Sequence, residues 1–399
     1  MVETFDVIVC GGGPGGSSSA VFLSKKGFKV LLLEKAKYPR DKTCGDAISG
    51  KSTSLLRELG LNAEVEAKQH AEITGVTFSS PSGALVEIPF KAAKGQARGT
   101  GYVCKRMVYD NILFQNMKKQ PNVTVKEQFM VQDVLKDEKG FVIGVKALDM
   151  TTKQVHEFHS KVVIGADGAT SVVAAKLGMN ERKDDHNITA IRLYYKGIKN
   201  LTGNIEIHFI KECLPGYFWI FPVGNNEANV GVGMVTSDMK KLGSKLDEIT
   251  FKAIKENPLF TERFKDAELI DPVKGWQLPV ASYHKKAHGN GFVLIGDAAS
   301  LIDPFSGEGI GNAMLSAKYA TERIKEAFDA NDFSEAFLKT YEDRLWAEIG
   351  NEIKTSYALQ KIGRITPLLN LVLGKAAKNK EIRETISGML GSEDAKQNL

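Results

Sequence analysis

Cysteine is scarce in this 399-residue chain: four residues, at positions 10, 44, 104 and 213, with no CxxC pair. That spacing excludes a disulfide scaffold and a thiol-rich zinc module, and it reads as a reducing, cytoplasmic setting. Long apolar runs are also missing. Nothing reaches the roughly 18 consecutive apolar residues of a spanning helix, and no signal peptide precedes the first apolar run, so only peripheral membrane contact stays open. Charge of one sign is not in excess either: 53 Lys and Arg against 48 Asp and Glu give +5. Over this length that is too little to mark a nucleic-acid binder. Low-complexity linkers and long-period repeats are absent, which excludes a solenoid. The remainder, 43% hydrophobic and 25% charged, is ordinary globular composition, enough for two or three domains or one large core with insertions.

What the chain does have is glycine placed after apolar runs. Residues 5–10 end in Gly11-Gly12-Gly13-Pro14-Gly15-Gly16. A helix-compatible stretch follows over 17–26, and residues 29–34 read as a second buried strand ending in an acid. In Gly11-x-Gly13-x-x-Gly16 the glycines permit a tight turn and let a pyrophosphate approach a helix N-terminus. Glu34, eighteen residues after the last glycine, is placed to accept from a ribose hydroxyl. An acid there, rather than a base, favours FAD or NAD over a 2′-phosphorylated dinucleotide. A glycine-rich turn without a ligand is the bland alternative, and the strand-helix-acid context argues against it. Residues 161–168 and 291–297 repeat the junction, the latter continuing through Pro304, Gly307, Gly309, Ile310 and Gly311 into a helical pattern. Residues 45–52 match the P-loop pattern literally. The polar stretch before them is no buried strand, so the match is taken as coincidence.

Further strands are expected at 75–78, 84–89, 123–127, 141–149 and 154–159. Between 185 and 275 the pattern becomes alternating strands, at 190–195, 205–209, 217–222 and 229–234, which suits an antiparallel sheet with one face on a core or cavity. From Gly309 on, helical periodicity dominates. Period-two alternation points Tyr217, Trp219 and Phe221 to one side, either as an ordinary aromatic core face or as a wall for a long apolar chain beside a flat ring. Cys44 lies in a loop with Arg40, Lys42 and Lys51 near in sequence, a setting that favours thiolate character. His284 and His288, and His156 and His159, lack a third ligand, so no metal site is expected and solvated histidines are the reading.

The glycine fingerprint, Ala166-Asp167-Gly168, and the segment Gly296-Asp297 through Gly309-Ile310 together resemble the three flavin motifs of FAD-dependent oxidoreductases with the p-hydroxybenzoate hydroxylase fold. Residues 42–49, 215–222 and 228–233 look like signatures of the geranylgeranyl reductase family. The resemblance runs from residue 1 to about 340, with one departure: many members carry lysine after the Phe-Pro pair, where this chain has Val223. It implies an α/β chain with a Rossmann-type FAD-binding domain, an inserted antiparallel-sheet substrate domain and a helical C-terminal region. The boundaries read as 1–75, 96–184 and 276–340 for the flavin domain, 76–95 and 185–275 for the insertion, and 341–399 for the C-terminal region.

The resemblance implies FAD held by Gly11, Gly13, Pro14, Gly15, Gly16, Glu34, Lys35, Cys44, Gly45, Arg106, Asp167, Gly168, Gly296, Asp297, Pro304, Gly307, Gly309 and Ile310. For Arg106 a surface helix arginine is the alternative. The implied reaction is saturation of prenyl double bonds on an isoprenoid lipid or quinone by hydride from reduced flavin. Tyr217, Trp219 and Phe221 would line the substrate, with Cys44, Tyr217 and Trp219 as catalytic candidates. The reductant, NAD(P)H or a ferredoxin-type donor protein, is open. The same fold also serves monooxygenases and halogenases acting through a flavin hydroperoxide, and a flavin-bound lipid carrier or electron-transfer protein is a third reading.

Near the C-terminus, Ile365, Leu368, Leu369, Val372 and Leu373 have the spacing of one apolar helix face, with Pro367 in the first turn. Residues 353–380 carry six bases and no acid, leaving the rest of the chain at about −1 by subtraction. Two readings stand: a basic amphipathic helix on the inner face of a membrane, or a helix packed over the substrate channel with a solvated basic rim.

Overall fold

The computed structural model of the chain describes residues 3–90 and 100–390. The expected boundary at 95/96 and the ends of the chain lie outside the described residues. Short all-apolar runs become strands covered on both faces, as a parallel sheet between helices requires. Val7–Cys10, Val30–Glu34 and Val162–Gly165 are buried throughout. Together with Phe292–Leu294 and Val123–Glu127 they form a parallel sheet, closed at one edge by the antiparallel pair to His288–Gly289. The helix Pro14–Lys25 starts on its proline, where the missing N–H has no partner to lose, and packs against the helix Ile310–Ala330.

A seven-stranded sheet stands beside this unit, in the order Glu268–Pro279, Asn187–Lys196, Glu227–Val235, Tyr217–Gly224, Asn204–His208, Gly75–Ser79, Leu85–Pro89. It is antiparallel except where Asn204–His208 meets Gly75–Ser79. One face, carrying Leu193, Phe218, Ile220, Val230 and Val232, is buried under the helix Leu246–Glu256 and its neighbours. Its opposite face looks toward the parallel sheet.

Two features differ from the strand pattern read in the sequence. Three helices, Thr236–Leu242, Leu246–Glu256 and Thr261–Phe264, interrupt the alternating region, because Leu246, Ile249 and Ala253 recur at helical spacing to cover the sheet. The edge strand Glu268–Pro279 is largely exposed and carries Pro272, so it lacks an apolar alternation to reveal it.

At the C-terminal end the helices Glu335–Gly363, Thr366–Lys378 and Lys380–Leu390 follow one another. Pro367 is in the first turn of Thr366–Lys378, as expected. The apolar set does not form one buried face. Leu369, Leu373 and Ala376 pack on Val76, Phe78, Val86 and Ile88, whereas Ile365, Leu371 and Val372 are exposed. The histidines need a correction too. His284 is half-exposed, but His288 is buried, and both donate to Glu342, which sits between them at 2.6 and 2.7 Å.

Candidate active site

Between the two sheets lies a cavity of about 1500 Å³. That exceeds the roughly 300–1,000 Å³ of a site for one small ligand and leaves space for two molecules side by side. Its walls differ in character along its length.

At one end the backbone is glycine-rich and the side chains polar. Gly11 has φ +104°, and a Cβ there would lie 2.5 Å from the Ala166 carbonyl oxygen. A Cβ on Gly16 would lie 1.8 Å from the Gly11 oxygen, so Gly16 serves helix-strand packing and does not line the cavity. Gly13 differs: a Cβ would stand in the cavity, its nearest neighbour Arg40 Nη2 at 3.6 Å. As N-cap of Pro14–Lys25 it offers no side chain to the first-turn N–H groups. Glu34 accepts from the Gly12 and Ala36 N–H groups at 2.7 and 2.8 Å, one on each oxygen, and each oxygen keeps a lone pair. Asp303 accepts three bonds on Oδ1 from Phe305 and Ser306, while its buried Oδ2 has no partner among the described residues. Space at Gly13, an uncapped helix start, spare carboxylate capacity and an orphaned buried oxygen suit a dinucleotide lying along this end.

Gly15, Lys35, Asp167, Gly168, Gly296, Asp297, Gly307, Gly309 and Ile310 also line the cavity. Pro304 does not; its carbonyl accepts from Gln360 Nε2 at 2.6 Å and so receives the helix Glu335–Gly363. Arg106 is buried rather than on the surface. It grips Asp110 with two bonds, Nε at 2.6 Å and Nη2 at 2.8 Å, and its guanidinium lies within hydrogen-bonding reach of the Cys44 thiol. Arg40 adds a third donor to Asp110 at 2.9 Å. Burial would raise the Asp110 carboxyl, but the two guanidinium groups outweigh it and hold it below its ordinary value.

The other end is apolar. Its floor is one face of the seven-stranded sheet, and the period-two rule puts alternate residues of each strand on it. Tyr217, Trp219 and Phe221 form a row with successive ring centroids 6.2 Å apart. Gly231 makes room for the Trp219 ring, since a Cβ there would lie 2.2 Å from Trp219 Cζ2. Beyond the row come Ile205, Ile207, Phe209, Val76 and Phe78, and the roof is closed by Leu369, Val372 and Leu373. The roof residues belong to the apolar helix face read in the sequence at 365–373; the floor residues were not singled out one by one, though alternation over 205–209 carries part of their signal. Burial and nearby Asp303 push the Tyr217 hydroxyl up to about 12.

The loop 42–49 lies where the two ends meet. Gly45 faces Phe221, with a would-be Cβ 3.2 Å from Phe221 Cε2. Lys42 lies over the Trp276 ring at 4.3 Å, and burial lowers its ammonium despite the attraction of Asp297. Two residues that the sequence offers only as members of the signature segments 42–49 and 228–233 organise the loop: Asp46 and Asn229, both fully buried.

The FAD binding domain family matches residues 4–347. Digeranylgeranylglycerophospholipid reductase 1 of Methanococcoides burtonii is 31% identical over 366 residues, 90% of this chain and 84% of the relative. A geranylgeranyl bacteriochlorophyll reductase-like structure from Thermoplasma acidophilum superposes with a TM-score of 0.85 and 24% identity, over 100% of this chain and 99% of the other. A flavin-dependent brominase superposes with a TM-score of 0.81, also at 24% identity, over 97% and 93%. At that identity both structures speak for the fold alone. The sequence kinship and the family match over residues 4–347 go further: the chain belongs to the geranylgeranyl reductase family of FAD-dependent oxidoreductases.

Proposed function

We propose that the protein is a prenyl reductase that saturates carbon-carbon double bonds of a geranylgeranyl-type chain carried on a lipid. The observation that carries this reading is the apolar corridor running from the Cys44 loop along Tyr217, Trp219 and Phe221 to the helix Thr366–Lys378. A compact aromatic substrate does not need such length, and the named reductase relative acts on a chain that does. When bound, reduced FAD supplies the hydride for one alkene carbon.

The protein's own residues do the rest. Gly13, Glu34 and the uncapped start of Pro14–Lys25 hold the dinucleotide. The aromatic row aligns the chain. The second carbon needs a proton, and the Cys44 thiol and Tyr217 hydroxyl are the side-chain sources at the meeting point. With its pKa near 12, Tyr217 carries its proton at any working pH. The test is anaerobic: reduce the purified flavoprotein, add a geranylgeranylated phospholipid, and follow flavin reoxidation together with product mass. Reoxidation with a gain of two hydrogens per double bond supports the reading. Product formation that requires oxygen, without hydrogen gain, overturns it.

The corridor's mouth carries a second part of the proposal. Exposed Ile362 and Val372 line it, exposed Ile365 and Leu371 are near them in sequence, and Lys354, Lys361, Lys375 and Lys378 are exposed on the same two helices. No helix among the described residues is long and apolar enough to cross a membrane. The patch suits shallow docking on an anionic bilayer, from which a lipid-borne chain would enter. Replacing those four lysines by glutamine is expected to abolish sedimentation with phosphatidylglycerol vesicles while flavin content stays unchanged. Vesicle binding that ignores the change would reduce the charges to a solvated rim.

A further inference from the structure

We propose that Asp46 is the positioning residue of this site, tying the Cys44 loop and the Trp219 ring into one rigid unit through Asn229. The proposal rests on the reading of the site given above. Asp46 follows Cys44 by two residues and has φ +67°, a left-handed conformation that aspartate tolerates better than most side chains and that its surroundings here enforce. The enforcement is visible. Oδ2 accepts from the Tyr194 hydroxyl at 2.5 Å and from Asn229 Nδ2 at 2.8 Å, and Oδ1 accepts from the Arg106 N–H at 3.3 Å. The Asp46 carbonyl accepts from the Cys104 N–H at 2.9 Å. One buried carboxylate therefore gathers donors from the strand Asn187–Lys196, the strand Glu227–Val235 and the helix Arg106–Lys118.

Asn229 carries the constraint onward. Its Nδ2 also donates to the Cys44 carbonyl at 2.7 Å, and its Oδ1 accepts from Trp219 Nε1 at 2.9 Å. Both amide hydrogens and the amide oxygen are thus engaged. The amide has only one orientation that satisfies all three partners, because a flip would set N–H against the indole N–H. Asp46 selects that orientation. Cys44 stands on the loop beside Phe221 and Trp219 stands in the aromatic row, so this amide sets their mutual distance across the place where chain and cofactor meet. A mere loop anchor would not need the asparagine to reach the indole.

The test uses the FAD-loaded enzyme carrying Asp46→Ala, which removes the acceptor that orients Asn229, with Asn229→Ala as a second variant should the first fail to fold. Cys10, Cys104 and Cys213 are fully buried and Cys44 is not, so maleimide alkylation of the native protein reports on Cys44. Either variant is expected to keep its flavin, to change the alkylation rate by about tenfold, and to lower kcat roughly ten- to a hundredfold with KM nearly unchanged. Trp219 fluorescence, read with Trp276 and Trp346 replaced by phenylalanine, is expected to shift in Asn229→Ala. A variant that retains flavin and shows alkylation, fluorescence and kcat within about twofold of wild type overturns the proposal. If the wild-type enzyme reduces no prenyl lipid, the reading of function falls while the alkylation and fluorescence results still decide the role of Asp46.

Discussion

The Asp46→Asn substitution makes a prediction about stability that runs against intuition. Burial drives the Asp46 carboxyl from an ordinary value near 3.8 up to about 6, although Tyr194 and Asn229 donate to it and Arg192 and Arg106 are near. The two arginines neutralise it poorly because each is committed elsewhere: Arg192 to Asp41 and Asp271, Arg106 to Asp110. A folded pKa raised above the unfolded one means the folded state binds the proton more tightly. The ionised form therefore destabilises the fold above about pH 6, and the penalty fades as pH falls from 6 toward 4. At about 1.4 kcal/mol per unit, two units amount to roughly 3 kcal/mol at pH 8. The asparagine oxygen can still accept from Tyr194 and Asn229. Its amide hydrogens face the Arg106 N–H, an unmatched contact that takes back about 1–2 kcal/mol. Asp46→Asn is thus expected to melt higher than wild type at pH 8, by about 1–2 kcal/mol of stability, with the advantage gone at pH 4.5. Melting temperatures of flavin-saturated protein at the two pH values check this, alongside turnover. A variant less stable than wild type at pH 8, with the gap narrowing in acid, would refute the reasoning. A variant that is more stable yet slower would show a buried charge retained for the chemistry.

Gly16→Ala sets a Cβ against the Gly11 carbonyl oxygen at 1.8 Å, a backbone contact that must move, and it is expected to strip FAD from the purified protein, read as loss of visible flavin absorbance. Gly231→Ala meets both the Ile191 carbonyl oxygen and the Trp219 ring, so it is expected to displace that ring, destabilise by about 1–3 kcal/mol and raise KM for the prenyl substrate. Glu342 behaves oppositely to Asp46: burial would raise it, but His288, the Ala287 N–H and His284 outweigh burial and bring it down to about 2. A depressed folded pKa contributes stability that is present above about pH 4.5 and lost as pH falls toward 2. Glu342→Gln is therefore expected to be destabilised by up to about 3 kcal/mol at pH 6, with the difference from wild type shrinking as pH falls from about 4.5 toward 2 in thermal melts.

The sequence made legible what depends on one segment at a time. Strands covered on both faces read as unbroken apolar runs, so Val7–Cys10 and Val162–Gly165 stand out. Period two placed Tyr217, Trp219 and Phe221 on one side without any knowledge of the sheet. The strand Glu268–Pro279 failed that test because an exposed edge gives hydrophobicity no reason to alternate. His288 was read as solvated because nothing near it in sequence announces Glu342, which arrives from 54 residues away.

The pairing of Asp46 with Asn229 was illegible for the same reason in stronger form: the signature segments 42–49 and 228–233 stand out, but the two residues meet across 183 residues of chain. The literal P-loop match sharpens the point. Ser49 caps the helix Gly50–Leu59 by accepting from the Ser52 N–H, and it also reaches Glu308 at 3.1 Å. Lys51, the residue a phosphate would require, is buried with its ammonium on Asn312 at 2.7 Å and Glu352 at 3.2 Å. The pattern therefore fastens the far end of the Cys44 loop to the third glycine junction and to the helix Glu335–Gly363, as Asp46 fastens its near end to the sheet. A loop held at both ends by buried polar contacts keeps a thiol in one place without burying it, as the role proposed for Cys44 requires.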